Sequence, residues 1–195
     1  MRDLKLGCQF MKYAPVSKHW LVIAIVMFVL CFHQGGNGLY IMAAIYEGLL
    51  CMLLHHYREL IKSELIGSSF LQRRLVRSVL IKWMLVIEGL IVVVFGVLGM
   101  VVPTLGMKCY TTIVLLELMT AIVYFMYSVM TYGANGFWFV LVMVNIDKLY
   151  KAAFGVSKTL TMNQSVIRLV ITVLIFNLLT ALALYKRKNF DYNNL

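Results

Sequence analysis

The sequence predicts an all-α fold, a polytopic membrane protein with six transmembrane helices, an N-terminal interfacial helix and a cytoplasmic coupling helix. Three observations lead to this prediction. First, 62% of the 195 residues are hydrophobic and only 13% are charged, whereas soluble domains carry about 25% charged residues. Second, apolar runs recur at close to the length of about 20 residues that crosses the hydrocarbon core as a helix. Third, the basic residues are concentrated on one side of the resulting topology.

Six apolar segments define the predicted spans. No long polar linker separates them, so we predict one membrane domain over residues 1–195. Trp20 would anchor the first span at a membrane interface, a glycine-rich turn would return the chain, and Pro103 and Gly106 would end the third span. The predicted spans are residues 16–32, 39–57, 78–102, 109–131, 137–150 and 166–185.

The distribution of Lys and Arg predicts the orientation. With six spans both termini lie on the same side, and 13 of the 18 Lys and Arg residues fall on that side. The positive-inside rule assigns this side to the cytoplasm. Without the fifth span the run Lys186-Arg187-Lys188 would lie outside, and this asymmetry would be lost. We therefore predict a multi-pass protein of the cell membrane with both termini cytoplasmic. The net charge of +10 then reflects membrane orientation and not nucleic-acid binding.

Two segments outside the spans are amphipathic. Residues 1–15 place Leu4, Cys8, Phe10 and Met11 near one helical face, which favours a helix in the cytoplasmic interface; a disordered basic tail is the alternative. Residues 57–77 alternate acidic and basic side chains around four apolar residues, which suits docking onto another protein. These four apolar residues are Leu60, Ile61, Leu65 and Ile66.

Three glutamates, Glu47, Glu88 and Glu117, lie inside apolar spans. An ionised side chain there costs a few kcal/mol, so such residues usually face a protein interior or a water-filled path. We predict that the three line a translocation path or a subunit interface. In the alternative they pair locally, for instance with Lys82 or Arg168, or stay protonated and only hold the helices together.

Motifs of enzymes and metal sites are missing from the sequence. It contains no HExxH motif, no nucleophile elbow and no zinc-ligand spacing. Residues 154–159 lack the glycines of a phosphate-binding loop and fall on the predicted outer side. The adjacent His55 and His56 point about 100° apart on a helix and cannot share a metal. Cys31 and Cys109 could in principle pair, but free apolar cysteines are the favoured interpretation. We predict no catalytic residue, no metal and no enzymatic activity.

The layout resembles the six-helix permeases of ATP-binding-cassette exporters of drugs, polysaccharides or peptides. The resemblance is carried by the leading "LKLGCQFMKYA", the amphipathic segment between spans two and three, the turn "TYGANG", the segment "DKLYKAAFGVSKTLTMNQ" before the last span and the basic ending "LALYKRKNF". The resemblance extends over the whole chain at the level of helix arrangement. No single motif is specific to the family, and the chain is shorter than many of its members.

This resemblance implies a transport subunit without its own ATPase site. Separate cytoplasmic ATP-binding-cassette ATPase subunits would bind ATP and Mg²⁺, so this chain would need no cofactor. A second copy or a sister permease would complete the path within the membrane lipids. Residues 57–69 would form the coupling helix, and the cargo would be an amphipathic or hydrophobic peptide, drug or lipid-like molecule. The residues that would face the ATPase are Arg58, Glu59, Lys62 and Glu64.

Three other functions stay open at this point. An ATP-independent small membrane transporter or substrate-capture subunit would also need about six spans, but it would favour a glycine-broken helix near the midplane and internal repeats. Neither feature is clear in this sequence. An intramembrane enzyme would need a set of reactive side chains at one depth, whereas the histidines lie at span ends and Asp147 is isolated. An assembly factor is the fourth possibility.

Overall fold

The computed structural model describes Lys5 and residues 18–34, 36–62, 78–129 and 162–186. Every regular element in these ranges is helical. The α-helices, in chain order, are α1 (Lys18–His33), α2 (Gly36–Lys62), α3 (Leu80–Val101), α4 (Gly106–Val129) and α5 (Met162–Lys186). A turn of 3₁₀-helix, Pro103–Leu105, links α3 to α4.

Helices α1 and α2 form a tight hairpin. Only two residues separate them, and the backbone N–H of Gln34 donates to the carbonyl oxygen of Leu30 at 3.3 Å. Gly38, in the first turn of α2, lies directly against the end of α1. A Cβ atom at Gly38 would stand 2.7 Å from the Cβ of Gln34 and closer still to the carbonyl oxygen of Cys31. The close approach of the two helices therefore requires glycine at this position.

A second hairpin joins α3 and α4. Pro103 has no backbone N–H to continue the helical hydrogen bonding, so α3 ends just before it. The N–H of Leu105 donates to the carbonyl oxygen of Val102 at 2.9 Å and closes the turn. Gly99 on α3 lies opposite Cys109 on α4. A Cβ atom at Gly99 would lie 3.2 Å from the Cβ of Cys109, so the two helices are close together here.

The chain divides into two compact units, Met1–Leu90 with Leu184–Leu195, and Ile91–Ala183. In the first unit, α1 and α2 pack against each other. The second unit contains α3 from Ile91 onward, α4 and most of α5, and α4 is its most deeply buried helix. One membrane domain over residues 1–195 stays a prediction.

Four helical segments in the described ranges are long and apolar enough to cross a membrane, which indicates a membrane protein. They match the second, third, fourth and sixth predicted spans within a few residues, and they are Gly38–Tyr57, Leu80–Val101, Pro103–Val129 and Val166–Tyr185. In place of the first predicted span, α1 contains a shorter apolar helix, Val22–His33. Residues 137–150 lie outside the described residues, and so does the N-terminal segment except for Lys5, which is helical and exposed. The six-span topology therefore stays a prediction.

Candidate functional site

Each of two spanning helices presents one buried stripe that contains a glutamate. On α2 the stripe is Ala43, Glu47, Leu50 and Leu54, and on α3 it is Met84, Glu88, Ile91 and Phe95. Both stripes have spacings of four, three and four residues, which place their members on one face of a helix. Large apolar side chains cover other parts of both helices and are about half exposed. In a membrane, the exposed apolar surface suits lipid and the two carboxyl groups lie inside the protein.

Glu47 is the most deeply buried acid in the described part of the chain, with 1% of its surface exposed. It is the tenth residue of the apolar segment Gly38–Tyr57, about 15 Å from either end at a rise of 1.5 Å per residue. Its Oε2 atom is buried and has no hydrogen-bond partner among the described residues. Cys51, one helical turn further along the same face, is a free thiol.

Glu88 and Glu117 are also buried, at 7% and 5% exposure. Each takes part in a hydrogen bond or an electrostatic interaction. Lys82 and Arg168, the local partners considered from the sequence, are both exposed. All three predicted membrane acids thus lie in the protein interior. Their role as path or interface residues stays a prediction.

Helix α4 is buried around its whole circumference from Val114 to Tyr124. Buried hydroxyl groups along it donate to carbonyl oxygens one turn back: Thr112 to Lys108 at 2.8 Å, and Thr120 to Leu116 at 2.7 Å. These bonds satisfy the hydroxyl donors of Thr112 and Thr120 within the helix itself, so these two polar side chains fit an apolar environment. Sequence reasoning did not identify α4 as a central helix, although its Thr, Ser and Glu content was a usable signal.

An aromatic contact joins α4 to α5. The ring centroids of Phe125 and Phe176 lie 5.6 Å apart, with the planes inclined by 65° in an edge-to-face arrangement. Phe176 also accepts, through its carbonyl oxygen, a hydrogen bond of 2.8 Å from the buried hydroxyl of Thr180. This buried side of α5 contrasts with a broad exposed face of branched aliphatic residues, which includes Ile171, Leu174 and Leu178.

The residues assigned to ATPase coupling begin on α2 itself. The helix continues without a break past Tyr57, so Arg58, Glu59 and Lys62 belong to its last two turns. Sequence reasoning placed the end of the span at Tyr57 and a separate coupling helix after it. The apolar segment does end at Tyr57, and the helix itself continues for five more residues, or about 7.5 Å. The separate coupling helix stays a prediction. Glu64 and the rest of the coupling segment lie outside the described residues.

The described residues provide no metal site: none of them forms a group of three or more His, Cys, Asp or Glu that could hold an ion. Cys31, Cys51 and Cys109 are free thiols and lie within helices.

No protein family model, curated protein or solved structure matches this chain. The resemblance to exporter permeases therefore remains a prediction from the sequence.

Proposed function

We propose that this chain is the membrane-spanning permease subunit of an ATP-binding-cassette exporter. It would move an amphipathic or hydrophobic substrate, such as a peptide, a drug or a lipid-like molecule, outward across the cell membrane. A separate cytoplasmic ATPase subunit would bind and hydrolyse the ATP. A second copy of the chain or a sister permease would complete the path.

The continuous α2 helix is the observation that carries this proposal. Its apolar segment ends at Tyr57, and the same rigid helix then continues through Arg58, Glu59 and Lys62. A movement imposed on the charged end would pass directly into the membrane, because both parts belong to one hydrogen-bonded rod. A coupling element between an ATPase and a permease needs this mechanical connection.

The buried glutamates support a transport role. Glu47, Glu88 and Glu117 are placed inside apolar helices where an ionised group costs a few kcal/mol or more. Polar groups of this kind mark substrate paths or helix interfaces in membrane proteins. In the proposed exporter they would line the path or the contact with the second permease subunit.

Co-purification with an ATP-binding-cassette ATPase tests the proposal. The tagged full chain is co-expressed with the candidate ATPase, extracted in mild detergent and compared with the variants Arg58→Glu and Glu64→Arg. We expect wild type to retain the ATPase and to change its rate of ATP hydrolysis, and each charge reversal to weaken retention or uncouple hydrolysis. Arg168→Glu is the matched control, since Arg168 is exposed on α5 near the predicted outer end of the last span.

Three results would oppose the proposal. Failure of every candidate ATPase to bind the wild-type chain would favour an ATP-independent transporter or substrate-capture subunit. Binding that survives both charge reversals would remove residues 57–69 from the coupling role. Equal loss of binding with Arg168→Glu would show that the effect is one of net charge and not of position.

A further inference from the structure

The strongest unexplained group in the described part of the chain is the carboxyl of Glu47. It combines nearly complete burial, a position halfway along an apolar span, and a buried Oε2 without a hydrogen-bond partner among the described residues. A carboxylate stripped of water and hydrogen bonds is unstable in such surroundings, and the group neutralises by taking up a proton.

The neighbours of Glu47 favour a proton over a metal cation as its ligand. A bound Ca²⁺ needs six to eight oxygen ligands, and Mg²⁺ needs near-ideal octahedral coordination. Within the described ranges no three metal-ligating side chains come together. The other members of the α2 stripe, Ala43, Leu50 and Leu54, are apolar. A proton requires only the one carboxyl group.

We propose that Glu47 is a proton-binding site inside the membrane domain, occupied by a proton in the conformation described here. This goes beyond the proposed export function, because it concerns the chain alone and holds whether or not an ATPase docks. Glu88, at the same position of the α3 stripe, is less deeply buried, with 7% of its surface exposed against 1% for Glu47.

A protonated carboxyl in an apolar site has a characteristic reaction with a hydrophobic carbodiimide. The carboxyl oxygen forms a bond to the central carbon of the carbodiimide, one C=N π bond breaks, and the acid proton passes to that nitrogen. The acyl group then migrates from oxygen to nitrogen and leaves a stable N-acylurea. No oxidant or reductant is required. A charged, water-soluble carbodiimide cannot reach the site from solvent.

The experiment treats the full chain in lipid vesicles with dicyclohexylcarbodiimide or with a water-soluble carbodiimide, and locates adducts by peptide mass spectrometry. We expect an adduct at Glu47 with the hydrophobic reagent and at least a tenfold lower yield with the water-soluble one. Glu47→Gln abolishes this adduct, whereas Glu47→Asp and Glu88→Gln keep it. Because the peptide mass identifies the residue, the wild-type chain alone decides the question even where a variant fails to insert.

Infrared spectroscopy of the same vesicles provides a second measurement. The carbonyl band of a protonated carboxyl should be present in the wild type, reduced in Glu47→Gln and shifted after exchange into D₂O. The proposal is overturned by the lack of a Glu47 adduct with dicyclohexylcarbodiimide, by equal labelling with the water-soluble reagent, or by identical carboxyl bands in wild type and Glu47→Gln. No ATPase is present in either measurement, so these results are separable from those of the co-purification.

Discussion

Glu47 and Glu88 occupy the same position in two buried stripes with identical spacing, one on α2 and one on α3. They differ in burial, since 1% of the surface of Glu47 is exposed against 7% for Glu88. Two carboxyl groups that look alike in the sequence therefore differ in how completely the protein encloses them.

Replacing Glu47 by Met should stabilise the chain. Met is unbranched, apolar and close to Glu in shape, so it fills the site without leaving a buried polar atom unpaired. An unsatisfied buried polar group costs about 1–3 kcal/mol, and we expect a gain in the free energy of unfolding of up to that size. Glu88→Met is the matched control and should give a smaller gain, because Glu88 is less deeply buried and the substitution also removes an interaction in which it takes part. Titration with a denaturing detergent in mixed micelles measures both. A loss of stability in Glu47→Met would contradict this account.

Gly38→Ala should loosen the α1–α2 hairpin. The added methyl group would collide with the carbonyl oxygen of Cys31 and with Gln34, and overpacking of this kind costs roughly 1–3 kcal/mol. Gly48→Ala, on the same helix, is the control because a Cβ there meets nothing within 4 Å. Thermal unfolding in mild detergent should show a lower Tm for Gly38→Ala and little change for Gly48→Ala. Equal Tm values for the two variants would show that the close approach at Gly38 is not a constraint.

The Phe125–Phe176 contact should be energetically coupled. Edge-to-face aromatic pairs contribute about 0.5–1.5 kcal/mol beyond their buried area. A double-mutant cycle of Phe125→Ala and Phe176→Ala should therefore give a coupling energy of this size. Leu178→Ala, whose side chain is 62% exposed on the same helix, should combine additively with Phe125→Ala. Additive losses in the Phe125–Phe176 cycle would mean that the rings stabilise their helices independently.

The apolar runs made the four long spans predictable from the sequence. Residues such as 80–101 and 166–185 are too apolar for solvent, and their lengths match the hydrocarbon core. Burial of the three glutamates followed from the same physics, because charge is expensive in lipid. Composition also indicated a turn near the "HQGGNG" stretch, although it did not show which glycine lies against the end of α1.

Other features could not be predicted from the positions of the apolar runs. The apolar segment of α2 ends at Tyr57, as the sequence predicts, but the helix continues to Lys62. Hydropathy does not show this continuation, because Arg58 closes the apolar segment without ending the helix. The burial of α4 depends on its neighbours: 72% of its apolar segment is buried, against 22% for α3 and 11% for α5. The Thr, Ser and Glu residues of α4 make it the least apolar of the three, but all three are apolar enough to span a membrane, so composition indicates the buried helix without showing how completely its neighbours enclose it. The different environments of Glu47 and Glu88 likewise depend on packing between helices.

The sidedness of Lys62 and Thr104 tests the central claim most directly. These residues flank the single span α3, and coupling to a cytoplasmic ATPase requires Lys62 on the inner side. Lys62→Cys and Thr104→Cys are each introduced into a chain whose four natural cysteines are replaced by serine, and intact cells are treated with a membrane-impermeant maleimide. We predict labelling of Thr104→Cys in intact cells and labelling of Lys62→Cys only after the membrane is permeabilised. Labelling of Lys62→Cys in intact cells would contradict the account.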